Sequence, residues 1–312
     1  MEFTALGEAL PPLVRIGTSS WAYPGWAGLV YDRAATEKLL SHEGLRAYSQ
    51  HPLFRAVGVD RAHYAPLSAE VYAAYAAQVP AHFRFLAKAH DALTLARYPK
   101  HPRYGAKAGE DNPRFLDASY AAEAVVGPYA EGLGKKAGPL LFQFAPQEIA
   151  LMGGPLGFAD RIHRFLSALP RTTFYAVEVR NAALLTPALA DALHAVRAAP
   201  GLLAHPTLPE LPVQARLLRA HQAPALVLRW MLHRSLTHEA AGAAFSPFDR
   251  AHLDDRGTRA HIAELIAETT RRGRPSLVIV NNNAEGSAPW SILRLAEQTA
   301  PLLGGQEASG GL

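Results

Sequence analysis

Tyr175-Ala176-Val177-Glu178-Val179-Arg180 decides the fold. Successive side chains of a β-strand point to opposite faces. Val177 and Val179 therefore share an apolar face suited to packing on helices, while Glu178 and Arg180 share the other face. The pattern recurs on both sides of this stretch. In Phe83-Arg84-Phe85-Leu86-Ala87-Lys88 the phenylalanines and Ala87 take the helix side, which turns Lys88 the other way. Leu140-Leu141-Phe142-Gln143 sends Phe142 outward and Gln143 inward, and Val227-Leu228-Arg229-Trp230 sets Arg229 inward. Val57 and Val59 face helices, leaving Gly58 and Asp60 inside. Val278-Ile279-Val280 runs into Asn281-Asn282-Asn283, so an asparagine also faces in, and the alternation does not say which.

The expected strands cover 14–18, 54–60, 83–88, 139–144, 173–180, 202–205, 225–230 and 276–281. Helical stretches are expected at 68–79, capped by Ser68, at 113–132 with a break near Gly127-Pro128, and at 158–169, 187–198, 213–221, 258–271 and 288–300. Strand–helix alternation of this kind implies a parallel sheet, and eight units imply closure into a (β/α)8 barrel of the α/β class. A doubly wound sheet would carry GxGxxG after its first strand, and none stands there. One barrel domain over 1–303 and a flexible glycine-rich tail over 304–312 are expected.

The 312 residues are 49% hydrophobic and 19% charged, enough apolar material for a large core. There is no cysteine, which excludes disulfides, thiolate metal sites and cysteine nucleophiles, and fits a cytoplasmic protein. The first twelve residues lack the pattern of a secretory signal, and no apolar run would span a bilayer, so no membrane partner is expected. A net charge of +4 favours anionic ligands weakly. Arg271-Arg272-Gly273-Arg274 reads as a solvated turn, and Gly153-Gly154-Pro155 as a connector without the Lys-Ser/Thr of a phosphate loop.

The alternation gathers Asp60, Lys88, Glu178, Arg180 and Arg229 at the C-terminal ends of the strands, where barrel enzymes carry their chemistry. The catalytic candidates are Glu178, as proton-transfer group, with Lys88, Arg180 and Asp60. The competing reading is an ion-pair layer that plugs the barrel. Lys88, Arg180 and Arg229 can clamp an anion; a Schiff base on Lys88 has no other support in the sequence. Gln143, Asn281 and Asn282 are candidate substrate contacts, and Trp21, Tyr23 and Tyr64 candidate aromatic walls, with a packed lid as the alternative for the tryptophan loop. The helix after Asn281-Asn282-Asn283-Ala284-Glu285-Gly286-Ser287, capped by Ser287, is a second place for an anion. Asp60, His63, Glu178 and His205 fall near strand ends, but no HExxH-like spacing supports a divalent metal, so the cofactor is left open and a metal is not favoured. The long stretch 231–257, with His233, Arg234, His238 and Asp249, is expected to be irregular and to lie over the pocket.

Several segments resemble the YecE-like family, also called domain of unknown function 72, a family of TIM barrels. They are Ile16-Gly17-Thr18-Ser19-Ser20-Trp21 with Tyr23, Trp26 and Tyr31; Phe83 to Lys88; Gly138 to Gln143; Val177-Glu178-Val179-Arg180-Asn181; Leu228-Arg229; and Asn281-Asn282 with Ala288. The order and spacing carry the likeness across nearly the whole chain. The chain departs from the family at the second strand, where the family reads roughly Val-Glu-Ile-Asn-Ser-Thr-Phe-Tyr and this sequence Val57-Gly58-Val59-Asp60-Arg61-Ala62-His63-Tyr64. After Arg229 the family's Leu-His-Gly is replaced by Trp230-Met231-Leu232, with His233 next. The resemblance implies a divergent TIM barrel and assigns no activity.

Three functions fit these readings. The first is a hydrolase or isomerase acting on a small anionic, hydroxyl-rich molecule. The second is a nucleic-acid-binding or metal-dependent nuclease-like barrel, with Arg61, Arg97, Lys100, Arg103, Lys107 and Arg234 as its basic stripe. The third is a catalytically silent ligand-binding protein, as the loss of a glutamate at Gly58 would suggest. The oligomeric state is left open.

Overall fold

The computed structural model describes residues 3–304. The tail expected over 304–312 lies outside the described residues except for Gly304, the last residue of the final helix. Eight strands, β1 (Val14–Thr18), β2 (Ala56–Val59), β3 (Arg84–Lys88), β4 (Ala137–Phe144), β5 (Phe174–Val179), β6 (Ala199–Ala204), β7 (Leu226–Trp230) and β8 (Ser276–Val280), pair in chain order, all in parallel. β8 pairs with β1 over Val14 to Thr18 and closes the barrel.

The alternation read from the sequence sorts the core into two shells. Leu86, Leu141, Ala176, Val227 and Ile279 form an apolar cluster inside the barrel. Phe85, Phe142, Phe144, Val177, Val179 and Val278 join the larger cluster between strands and helices. The interior cluster fills the barrel below the charged layer, so the barrel is a packed core rather than a pore.

β6 begins at Ala199, earlier than the sequence suggests, because Pro200 and Gly201 sit inside the strand. Both read as strand breakers, yet they pair with Val177 and Glu178 of β5. The expected break at Gly127-Pro128 is absent: a π turn, Ala121–Val126, joins the flanking helical turns. Gly127 N–H donates to the Ala122 carbonyl five residues back, and this widened turn accommodates the proline. Ser68 holds the N-cap position of Ala69–Ala76, but its side chain makes no capping bond to the helix. Three helices were not legible as such. Phe3–Ala9 precedes the barrel, Glu37–Tyr48 is capped by Thr36, and His238–Phe245, capped by Thr237, lies within 231–257, which is therefore not wholly irregular.

Two buried tyrosines reach from helices into gaps in the strand ladder. β1 and β2 share only Gly17↔Ala56 and Thr18↔Val57. The Tyr48 hydroxyl donates to the Ala56 carbonyl at 3.0 Å and accepts from Thr18 N–H at 2.9 Å, bridging the strands as a ladder bond would. The β3–β4 register shifts between Phe85 and Ala87, and there the Tyr129 hydroxyl lies 3.0 Å from both the Phe85 and Gly138 carbonyls. Burial raises the pKa of both phenols, so both remain donors. Among the described residues, no helix is long and apolar enough to cross a membrane.

Candidate active site

The C-terminal strand ends bring the five expected charges into one layer. Register places Gln143 of β4 beside Glu178 of β5. Glu178 Oε2 accepts from Arg229 Nη1 at 2.8 Å, and its Oε1 accepts from Arg180 Nε at 3.1 Å. The Gln143 side-chain oxygen accepts from both arginines, at 3.1 Å each. Lys88 Nζ pairs with Asp60 Oδ2 at 2.9 Å. Three cations thus face two carboxylates. Arg229 Nη2 is buried and has no hydrogen-bond partner.

Burial is graded across this layer. Glu178 is wholly buried and the Arg229 side chain only 2% exposed, whereas Arg180 is 18% and Asp60 36% exposed. Burial pushes the Glu178 carboxyl up, but Arg229, Arg180 and Lys88 together outweigh it and hold the pKa below its ordinary value. Asp60 behaves likewise: burial raises it, while Lys88 and Arg229 bring it down overall. Lys88 is pushed down to about 8 by burial and then by Arg229, with Asp60 and Glu178 opposing. It is the one member of the layer held near neutrality.

Aromatic and imidazole side chains stand over the charges. Tyr23 is half-buried; burial, then the Asp60 charge, raises its pKa, and the Ser19 hydroxyl lowers it. Asn281 Nδ2 donates to Ser19 Oγ at 2.8 Å. His63 and His205 are each pushed down to about 4, chiefly by burial, then by Lys88 for His63 and by Arg180 for His205. His238 is lowered by burial and by Arg180 and Lys88. The 231–257 segment brings His238 to 5.9 Å from the His205 ring and Phe248 to 5.7 Å from Tyr23. It thus walls one side of the strand ends and reaches the loop after β1. Three clefts of 490, 400 and 470 Å³ elsewhere on the surface touch none of this layer.

Other expected residues lie apart. Trp21 is buried between helices: its Nε1 donates to the Leu40 carbonyl at 3.0 Å, and its ring meets Tyr75 edge-on at 5.3 Å. Tyr64 is 63% exposed on the outer rim, with the Arg103 guanidinium 4.8 Å from its ring centre. Asn281 is the inward asparagine. Asn282 turns away, and its Oδ1 accepts from Ala288 N–H at 2.8 Å. Asn282 therefore caps the last helix where Ser287 was expected to, and Ser287 is wholly buried, so this helix start is closed to an anion. Of the basic stripe, Arg97 pairs with Asp111 at 2.8 Å, Arg103 with Asp91, and Arg234 donates to the Leu208 carbonyl at 3.0 Å. Arg61, Lys100 and Lys107 remain exposed. Among the described residues, no three His, Asp or Glu side chains converge on a point where a metal would sit. Ser19 was missed, although it continues the inward series Arg15, Gly17, Ser19 past the end of β1.

Gly58 stands where the resemblance to YecE-like barrels implies a glutamate. A Cβ there would stand 2.9 Å from the Ser19 carbonyl oxygen and 3.1 Å from its Cα. The backbone after β1 fills the space, so restoring a side chain requires that turn to move. Gly58→Ala is expected to cost about 1–3 kcal/mol, the usual range for overpacking, read by urea denaturation; a neutral effect would mean that the Ser19 turn yields freely.

Among proteins with curated descriptions, none matches this chain. Solved structures do. A DUF72 family protein from Thermotoga maritima aligns with a TM-score of 0.60 at 18% identity, over 91% of this chain and 98% of that one. A DUF72 family protein from Enterococcus faecalis aligns with a TM-score of 0.59 at 18% identity, over 93% and 95%. At such identity the likeness speaks for the fold. The family model described as "Protein of unknown function DUF72" matches residues 15–308, and the chain belongs to that family.

Proposed function

We propose that the protein is an enzyme of isomerase type, acting in the cytoplasm on a small anionic, hydroxyl-rich molecule such as a sugar phosphate or sugar acid held at the C-terminal strand ends. The observation that carries this reading is the unpartnered Arg229 Nη2, buried in a layer with one excess positive charge. A buried donor without a partner is costly; a substrate oxyanion on the more open Arg180 and Lys88 would neutralise the excess charge, and reaching Nη2 itself requires the layer to part, because that atom is sealed from solvent. Tyr23, Ser19 and Asn281 supply hydroxyl and amide groups for the rest of the molecule.

We assign the proton-transfer role to Lys88 rather than to Glu178. Both of its oxygens are held by arginines, it is wholly buried, and its pKa is lowered. In this reading Glu178 fixes the two guanidinium groups, while Lys88, held at about 8 and paired with the partly open Asp60, moves the proton. A single acid–base pair on one side suits proton shuttling within one substrate. Glycoside hydrolysis typically uses two carboxyl groups flanking the scissile bond, and Glu178, held by two arginines, is not free to serve as one of them.

A thermal-shift screen against glucose 6-phosphate, gluconate and inorganic phosphate tests the site, with Arg180→Gln as the partner variant. Arg180 lies at the edge of the layer, so its replacement should leave the fold intact. Ligand at about 100 times its Kd should add roughly 2.7 kcal/mol of stability to the wild type and much less to the variant. An equal shift in both proteins would place the anion elsewhere.

A further inference from the structure

The opposite end of the barrel carries a second concentration of positive charge. Arg15 of β1 and Arg84 of β3 line a recess of about 230 Å³ at the N-terminal strand ends, with Phe174, Leu277, Pro139 and Pro275 among its walls. Arg55 stands close enough for its charge, with that of Arg84, to lower the Arg15 pKa, though burial is the larger cause. Among the described residues, no carboxylate lies within 4.0 Å of any of these three guanidinium groups. Arg55 is satisfied by chain carbonyls, donating to Leu10 at 2.9 Å, Pro11 at 2.8 Å and Gly7 at 2.6 Å. Arg84 uses Nη1 on the Ala81 and Phe83 carbonyls, at 2.9 and 2.8 Å. Arg15 makes no side-chain hydrogen bond to any described residue, although it is half-buried.

We infer that this recess is a binding site for a small amphiphilic monoanion, a carboxylate with a short chain or single ring as its apolar body, bridged by Arg15 and Arg84. The guanidinium fork matches a carboxylate. The exposed wall is mainly carbon, from Phe174, Leu277 and two prolines, which a polar anion such as free phosphate would leave uncovered. The recess is smaller than the roughly 300–1,000 Å³ usual for drug-sized ligands, which limits the body to a ring or a short chain. The site lies below the interior cluster of Leu86, Leu141, Ala176 and Ile279, with the charged layer above that cluster, so it is separate from the active-site reading.

The test is calorimetric titration of the full chain with hexanoate and benzoate, against hexanol and inorganic phosphate as neutral and non-amphiphilic controls. Saturable binding of at least one carboxylate at about millimolar affinity or tighter is expected, with neither control binding at this site. The double variant Arg15→Gln/Arg84→Gln should weaken carboxylate binding at least tenfold, while Arg180→Gln leaves it unchanged. The double variant gives up the Arg84 bonds to Ala81 and Phe83 but relieves repulsion between like charges, and a single cooperative melt with wild-type circular dichroism verifies its fold. Absence of saturable binding, equal binding by the double variant, or loss in Arg180→Gln would each overturn the assignment; the last would move the carboxylate to the other end of the barrel.

Discussion

Arg229→Met is expected to lower folding stability by about 3–5 kcal/mol at neutral pH, the usual cost of removing one partner of a buried ion pair. The reason is what it leaves behind. Glu178 is wholly buried, and its remaining cation, Arg180, lies 3.1 Å away at the exposed edge of the layer. The Arg229 side chain is itself only 2% exposed, so water cannot take its place freely. The double variant Glu178→Gln/Arg229→Met removes both charges and should recover much of the loss, giving a favourable coupling energy in a double-mutant cycle. The pH dependence has a defined sign. The Glu178 pKa lies below its ordinary value of 4.5 in the folded protein, so its stabilisation is complete above 4.5 and disappears as pH falls through the folded value. Glu178→Gln should lack that acid limb. Urea denaturation across pH 3 to 7 measures all of this, and a loss below about 1 kcal/mol for Arg229→Met, in the range of an exposed pair, would mean that the layer is wetter than its burial indicates.

The second large effect concerns Lys88. It sits at about 8 in the folded protein, so it is mostly charged at pH 7 and mostly neutral at pH 9. Under the proposed function, anion affinity should therefore hold between pH 6 and 7.5 and then fall, approaching tenfold per pH unit well above 8. Lys88→Met should bind the anion weakly at every pH, and Lys88→Arg should bind it without the alkaline fall. The stability sign is the reverse of that for a lysine that gains a good partner. The folded pKa lies below the ordinary 10.5, so the unfolded chain binds the proton more readily, and this residue's contribution improves as pH rises from about 8 toward 10.5. Titration with inorganic phosphate at several pH values above its own last relevant ionisation separates the lysine from the ligand. An affinity that stays flat from pH 7.5 to 9.5 would remove Lys88 from the anion site.

The barrel was legible because two periods coincide in the sequence. Period-2 alternation assigns a face to Phe85, Val177 and Leu228, and with that the opposite face to Lys88, Glu178 and Arg229; the structure keeps every one of those directions. Glu37–Tyr48 was less legible because its buried stripe is narrow, namely Leu40, Gly44, Leu45 and Tyr48, with a glycine inside it. β6 was shortened for a similar reason: local propensity argued against Pro200 and Gly201, and pairing within a closed sheet prevailed. Alternation stops where strands stop. It could not choose between Asn281 and Asn282, since the turn Asn282–Ala284 intervenes, nor place Trp21 and Tyr64, whose directions are set by loops. The histidines around the strand ends come from three separate connections, and only the folded chain brings His205 and His238 together.

Tyr48 and Tyr129 give the barrel wall a mechanical property. A wall joined all round by backbone bonds is stiff in its own right, but here two of its joints pass through phenols carried by helices. A displacement of Glu37–Tyr48 along its axis is transmitted to the end of β1 and the start of β2, the strands that lead to Ser19 and Asp60. A displacement of Gly127–Leu133 reaches β3, which carries Lys88. The Asp60–Lys88 ion pair thus stands on strands whose joints pass through two helices on the outside of the barrel.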